Sequence, residues 1–165
     1  MRLFIGIKVD QKTQKKINSY FNLFYENKVT GNYSKLSNLH MTLIFLGEID
    51  EARIPLIKQL IKEVDLKIDE IKISKLAMLK EILVGEVENN NEIQDIYNKL
   101  KKSLKDNGFI IDSNSIYPHV TLIRKVSNCE KFVGREVNQI SKFDRITLFE
   151  SRRINGELVY IDLGE

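Results

Sequence analysis

The amino-acid sequence predicts an α+β fold of duplicated, bilobal build: two antiparallel sheets flanking a central cleft, with helices packed on the outside. Three observations point there. Strand-like and helix-like stretches alternate through 165 residues, enough chain for one domain of two small lobes sharing a core. Landmarks recur at a single offset of 79 residues, too long for a solenoid repeat of roughly 20–50 residues. The only two histidines, His40 and His119, stand at that offset, and each opens the pattern His-x-Thr-Leu. With five Thr and eighteen Leu in the chain, chance produces that coincidence about once in 10⁵.

Each element has its own justification. Residues 1–10 hold one basic residue and a short apolar stretch that meets Lys8 and Asp10. They read as a first strand, without the small-residue cleavage site of a signal peptide. Ile17, Tyr20, Phe21 and Phe24 then recur at helical spacing. Residues 39–46 are β-rich, carry His40 and end at Gly47. Asp50 reads as a helix N-cap, followed by a stripe of Ile54, Ile57, Leu60, Ile61 and Val64 that tolerates Pro55 near its start. Residues 66–79 and 81–88 read as two strands around a turn, and Leu3-Phe4-Ile5-Gly6 aligns with Ile82-Leu83-Val84-Gly85 under the offset. Asn89 to Asn91 form a polar break, read as the seam between lobes. Beyond it Ile93, Ile96, Tyr97, Leu100 and Leu104 repeat the helical stripe, with Gly108 as its stop. Residues 119–123 are the second His-x-Thr strand, and 126–142 read as part loop, part helix. Residues 144–151 and 157–163 read as strands joined by an Asn155-Gly156 hairpin turn. The chain is thus expected to form a single domain, 1–165, of two pseudo-symmetric lobes, about 1–88 and 89–165, with exchange of strands between them allowed.

Composition narrows the class. Apolar residues at 42% and charged residues at 30% describe a globule and argue against disorder. No apolar run approaches the ~20 residues of a membrane span. Cys129 is the only cysteine, which excludes an internal disulfide and fits a reducing cytoplasm. A cytoplasmic monomer is expected. The net charge of +3 is compatible with an anionic ligand, but a solvated lysine-rich surface is the simpler account of it.

Residues two apart in a strand share a face, so His40 goes with Thr42 and His119 with Thr121. Pseudo-twofold lobes would turn the two pairs toward one cleft. Two facing imidazoles suit a reaction in which one takes a proton and the other gives one, since a pKa of ~6.5 keeps both forms accessible. The threonine hydroxyls are short donors able to hold the non-bridging oxygens of a phosphate. In-line displacement at phosphorus, with entering and leaving oxygens on opposite sides, matches that symmetry. Neither histidine lies in an HExxH, a Cys/His cluster or a carboxylate-rich loop, so no metal is expected. The absence of G-x-S-x-G argues against a serine nucleophile, and with no P-loop or G-x-G-x-x-G no nucleotide cofactor is expected either.

His40-Met-Thr-Leu and His119-Val-Thr-Leu resemble the duplicated motif of the two-histidine (2H) phosphoesterases. Met1-Arg-Leu-Phe-Ile-Gly-Ile, residues 38–47, Tyr117-Pro-His-Val-Thr-Leu-Ile-Arg124 and Ile146-Thr-Leu-Phe-Glu-Ser151 are most similar to the RNA 2',3'-cyclic phosphodiesterases, also described as 2'-5' RNA ligases. The resemblance implies metal-free hydrolysis of an RNA 2',3'-cyclic phosphate end to a 2'-phosphomonoester in a central cleft. By it, His40 is the proton donor to the departing 3'-oxygen, His119 is the acceptor that activates water, and the roles swap in ligation. Thr42, Thr121 and Arg124 would bind the phosphate. Arg124 lies five residues after His119, so strand alternation points it away unless the strand ends or bulges there. Tyr117 stands where many relatives carry a basic residue. Tyr33 and Tyr117 are candidates for stacking a base. Two other readings remain open on the residues alone: the same chemistry on a small cyclic phosphate, a 2'-5' oligonucleotide or a cyclic signalling nucleotide, and a non-catalytic RNA-binding module.

Overall fold

A computed structural model describes residues 1–164. The chain opens with β1 (Arg2–Lys8), α1 (Gln11–Glu26), β2 (Thr30–Tyr33) and β3 (His40–Glu48). Then come α2 (Ile54–Lys62), β4 (Glu70–Leu79), β5 (Ile82–Val87) and α3 (Asn91–Asp106). It closes with β6 (His119–Ser127), β7 (Glu136–Lys142), β8 (Thr147–Ile154) and β9 (Glu157–Asp162). Among the described residues all pairings are antiparallel, in the order β7-β4-β5-β6-β3-β1-β8-β9, with β2 pairing β6 off this path.

That order reads as two four-stranded halves, β6-β5-β4-β7 and β3-β1-β8-β9, arranged as mirror sequences about the contact between β3 and β6. The two expected antiparallel sheets are therefore present as halves of one nine-stranded sheet. A single bridge, Met41 to Val120, joins them. The repeat survives in register: β6 begins 79 residues after β3, and α3 begins 80 after α1.

The halves interleave along the chain. β4 and β5 belong with β6 and β7, whereas β8 and β9 return to β1. Each histidine strand has its inner neighbour (β1 or β5) from the same repeat, and that neighbour's other edge must also be paired. β4 covers β5 through a tight hairpin, and β8 crosses back over 140 residues of chain to cover β1. The helices cross too. α1 docks on β7: Asp10 caps it by accepting from the Thr13 amide at 2.7 Å and also accepts from the Lys142 amide at 2.8 Å. Phe24 meets Phe132 edge-on at 5.0 Å. α3 packs against β3 and α2, with the Arg53 guanidinium 3.7 Å from the Phe109 ring centre. One apolar cluster runs through both halves, from Leu3, Ile5 and Met41 to Leu83, Val120 and Ile123.

Local expectations fare unevenly. The helical stripes bury Ile17, Phe21 and Phe24 in α1, Ile57 and Leu60 in α2, and Ile93, Ile96, Tyr97, Leu100 and Leu104 in α3, whereas Tyr20, Ile54, Ile61 and Val64 are half-buried. Asn155 and Gly156 both take positive φ, as their tight hairpin requires. The Asn89–Asn91 break is a cap: Asn90 accepts from the Ile93 amide at 2.9 Å and starts α3. Residues 126–142, expected as part loop and part helix, hold one short 3₁₀ turn (Glu130–Phe132) and then β7. β7 is an edge strand that buries only Ser141 outright, so alternation has little apolar content to display. β2, with sequence Thr-Gly-Asn-Tyr, carries no strand signal at all.

Candidate active site

The Met41–Val120 bridge makes the site. In an antiparallel pair, fixing 41 against 120 sets His40 beside Thr121 and Thr42 beside His119. All four side chains line one cleft of about 600 Å³. Each imidazole is held in the same way. His40 Nδ1–H donates to the Asn38 carbonyl at 2.8 Å, and His119 Nδ1–H donates to the Tyr117 carbonyl at 2.6 Å. A carbonyl can only accept, so in the neutral rings Nδ1 carries the proton and Nε2 is the basic nitrogen. The Thr42 hydroxyl stands 2.8 Å from His40 Nε2 and donates to it in that state.

The glycines of the repeat explain how closely the strands approach. A Cβ on Gly6 would stand 2.7 Å from the Met41 carbonyl oxygen, and one on Gly85 would stand 2.9 Å from Cγ2 of Ile73. Gly6 thus lets β1 lie against the strand that carries His40.

A bulge decides the position of Arg124. On β6, Thr121 pairs with Val84 but Ile123 pairs with the next residue, Leu83, so one extra residue enters the strand. β3 does the same between Thr42 and Ile44, opposite Gly6 and Ile5. The extra residues, Leu43 and Leu122, are again 79 apart. Leu43–Ile44 and Leu122–Ile123 bury two residues in succession. Alternation resumes with its phase shifted, and Phe45 and Arg124 emerge into the cleft.

The two rings sit in different surroundings. His40 is enclosed by Phe4 at 4.7 Å, Tyr160 edge-on at 4.9 Å and Phe149 at 6.1 Å. Burial in this cage pulls the His40 pKa from 6.5 down to about 4; the Asn38 carbonyl opposes the shift, and the Arg124 and His119 charges add to it. His119 has one ring against it, Tyr117, stacked at 5.1 Å and 21°.

A model of the AKAP7 2'5' RNA ligase-like domain matches residues 4–155. The chain belongs to this family. An RNA 2',3'-cyclic phosphodiesterase of Thermotoga maritima is 27% identical over 131 residues, covering 75% of this chain and 70% of that protein. One from Methanocaldococcus jannaschii is 28% identical over 167 residues, covering 93% and 88%. Among solved structures, E. coli LigT in apo form superposes with a TM-score of 0.85 at 20% identity, covering 99% of this chain and 94% of that one. The MHV ns2 PDE domain superposes at 0.70 with 20% identity, covering 98% and 100%.

This 2'5' RNA ligase-like domain has cleft residues that motif reasoning does not reach. Arg2, Arg152 and Arg153 join Arg124 in the lining, which contains no Asp or Glu. Arg152 is held by two bonds of 2.9 Å to the buried Glu150 carboxylate. Among the described residues Arg2, Arg124 and Arg153 form no ion pair, so the cleft keeps a strong positive character suited to a phosphate. The one signal in the sequence is the Arg152-Arg153 pair directly after Thr147-Leu-Phe-Glu-Ser151. Among the described residues no three His, Cys, Asp or Glu side chains gather in a metal-holding group, and no helix is long and apolar enough to cross a membrane. Both candidate stacking tyrosines already use a ring face. Tyr117 lies on His119, and Tyr33 stacks on Tyr25 at 4.4 Å. Burial, with Tyr25 beside it, pushes the Tyr33 phenol up to about 12.

Proposed function

We propose that this protein hydrolyses the 2',3'-cyclic phosphate ends of RNA to 2'-phosphomonoesters by metal-independent acid–base catalysis. The observation that carries the reading is the convergence of two His-x-Thr pairs, each Nδ1 pinned by a carbonyl, in a cleft lined by arginines and free of carboxylates. The relatives named RNA 2',3'-cyclic phosphodiesterase support the substrate class.

Water attacks phosphorus opposite the 3'-oxygen, and His119 Nε2 takes its proton. The bond from phosphorus to the 3'-oxygen breaks, and His40 Nε2 gives that oxygen a proton. The products are a 2'-phosphomonoester and a 3'-hydroxyl, and solvent exchange resets the two rings. The Thr42 and Thr121 hydroxyls donate to the non-bridging oxygens, and Arg124 balances the charge that grows on them. For His40 to be the donor, the substrate must help to charge it. Its folded-state pKa of about 4 leaves it neutral at pH 7, and a phosphodiester anion beside it favours the imidazolium. Protonation turns Nε2 into a donor and frees the Thr42 hydroxyl for the phosphate. Two imidazoles without a third ligand make a poor metal site, which supports the metal-free reading. One chain supplies both halves of the cleft, which supports action as a monomer, and the lone buried Cys129 fits a cytoplasmic setting.

The test uses two substrates. His40→Ala and His119→Ala should each lower kcat on cyclic-phosphate RNA by at least ~10²-fold with circular dichroism unchanged. On an activated aryl phosphodiester, whose leaving group needs no proton, His40→Ala should recover and His119→Ala should not. Wild-type turnover by either variant removes that histidine from the reaction, and rescue of His119→Ala alone reverses the two roles.

A further inference from the structure

The cleft does not end at the histidines. Toward β2 it opens into a groove of about 850 Å³ that shares Arg124, Arg153, Leu158 and Tyr160 with it. On the opposite lip a hollow of about 550 Å³ shares Thr42, Phe45, Gly47 and His119. A strand whose terminal phosphate lies between the imidazoles has these two ways out.

They differ in chemistry. The hollow beyond Phe45 is walled by side chains such as Leu43, Leu79, Ile110 and Ile116, and the charged residue in its lining is Asp112. It offers a polyanion no lysine or arginine to pair with. The β2 groove carries Lys35, Arg124 and Arg153 against one carboxylate, Glu157. Glu157 holds Lys35 at 2.5 Å, which leaves both guanidiniums uncompensated.

The groove also holds an aromatic platform. Tyr33 is fixed from below: its hydroxyl donates to the Val29 carbonyl at 2.7 Å, and its ring meets Phe21 edge-on at 5.1 Å. Tyr25 lies flat on Tyr33 at 20° and is 58% exposed. Among the described residues no further ring extends the stack, so it ends in an exposed aromatic face. A rigid ring beside two free cations is the arrangement that binds single-stranded nucleic acid: stacking for the base, cations for the backbone. Asn38 ties the groove to the reaction centre. Its carbonyl orients His40, and its side-chain amide donates to the Leu158 carbonyl at 2.9 Å.

We infer that the β2 groove is a subsite for the nucleotide preceding the terminal one, with Tyr25 as its base platform, so that the protein prefers RNA strand ends to mononucleotides. This rests on the reading that the cleft takes a 2',3'-cyclic phosphate.

The experiment compares kcat/KM for a 2',3'-cyclic mononucleotide and for an RNA tetramer with the same cyclic end, in wild type, Tyr25→Ala and Tyr25→Phe. A second arm measures equilibrium binding of the corresponding 2'-phosphate-terminated mononucleotide and tetramer. Wild type should favour the tetramer in both arms. Tyr25→Ala should weaken the tetramer by roughly 5- to 100-fold, through KM and affinity, and leave the mononucleotide unchanged. Tyr25→Phe should behave as wild type. Equal treatment of mononucleotide and tetramer by wild type overturns the inference, as does a Tyr25→Ala loss shared by both. If neither substrate turns over, the proposed reaction falls, and the binding arm still decides the subsite.

Discussion

His40 makes acid sensitivity a measurable property of the cleft. In the unfolded chain its imidazole takes a proton near 6.5, whereas in the fold it resists until about 4, chiefly through burial and additionally through Arg124 and His119. Between those values the unfolded state binds more protons, so stability rises with pH across the window and is lost as pH falls from 6.5 toward 4. A gap of that size corresponds to roughly 3 kcal/mol. The ring is only partly buried and solvent reaches it from the cleft, so about 1–3 kcal/mol is the expected effect. The assay is urea unfolding of wild type and His40→Gln at several pH values between 7 and 4.5. Carboxylates titrate in both proteins, so the difference between them isolates His40. The stability advantage of wild type should shrink by about 1–3 kcal/mol on going from pH 7 to 4.5. Inorganic phosphate should flatten that slope, because an anion beside the ring restores its basicity. Two stability curves that run parallel over the whole range refute the assignment.

Three further substitutions probe the geometry around the histidines. Arg124→Gln should lower kcat/KM by about 10²–10³-fold and raise the His40 pKa, because it removes one of the charges that depress it; a ring-proton titration by NMR reads the second effect. Gly6→Ala should destabilise by about 1–3 kcal/mol in denaturant unfolding, since its methyl would meet the Met41 backbone oxygen. Gly85→Ala should cost less, because its nearest neighbour is the Ile73 side chain, and equal costs would show that the close approach of β1 to β3 is not what Gly6 is there for.

The two histidines of the cleft are legible in the sequence because both belong to short strand motifs, repeated intact at one offset. The helices are legible for a similar reason: their stripes are local and strongly apolar. What escapes depends on contacts between distant segments. Arg124 reaches the cleft only through the extra residue Leu122, and a bulge leaves no mark except two neighbouring apolar residues, which any core strand contains. The cage around His40 draws Phe149 and Tyr160 from β8 and β9, more than 100 residues away, and their return to β1 follows from the need to pair that edge. The same return brings Arg152 and Arg153 into the cleft. β2 and β7 hide because edge strands bury too little to alternate visibly.

The decisive measurement is the product formed from an RNA ending in a 2',3'-cyclic phosphate, incubated with the protein in EDTA and identified by ³¹P NMR. A 2'-phosphomonoester, formed at a rate unchanged by the chelator, is the expected result. A 3'-phosphomonoester, an uncleaved ring, or turnover that the chelator abolishes would contradict the proposed metal-free, 2'-phosphate-forming reaction in this cleft.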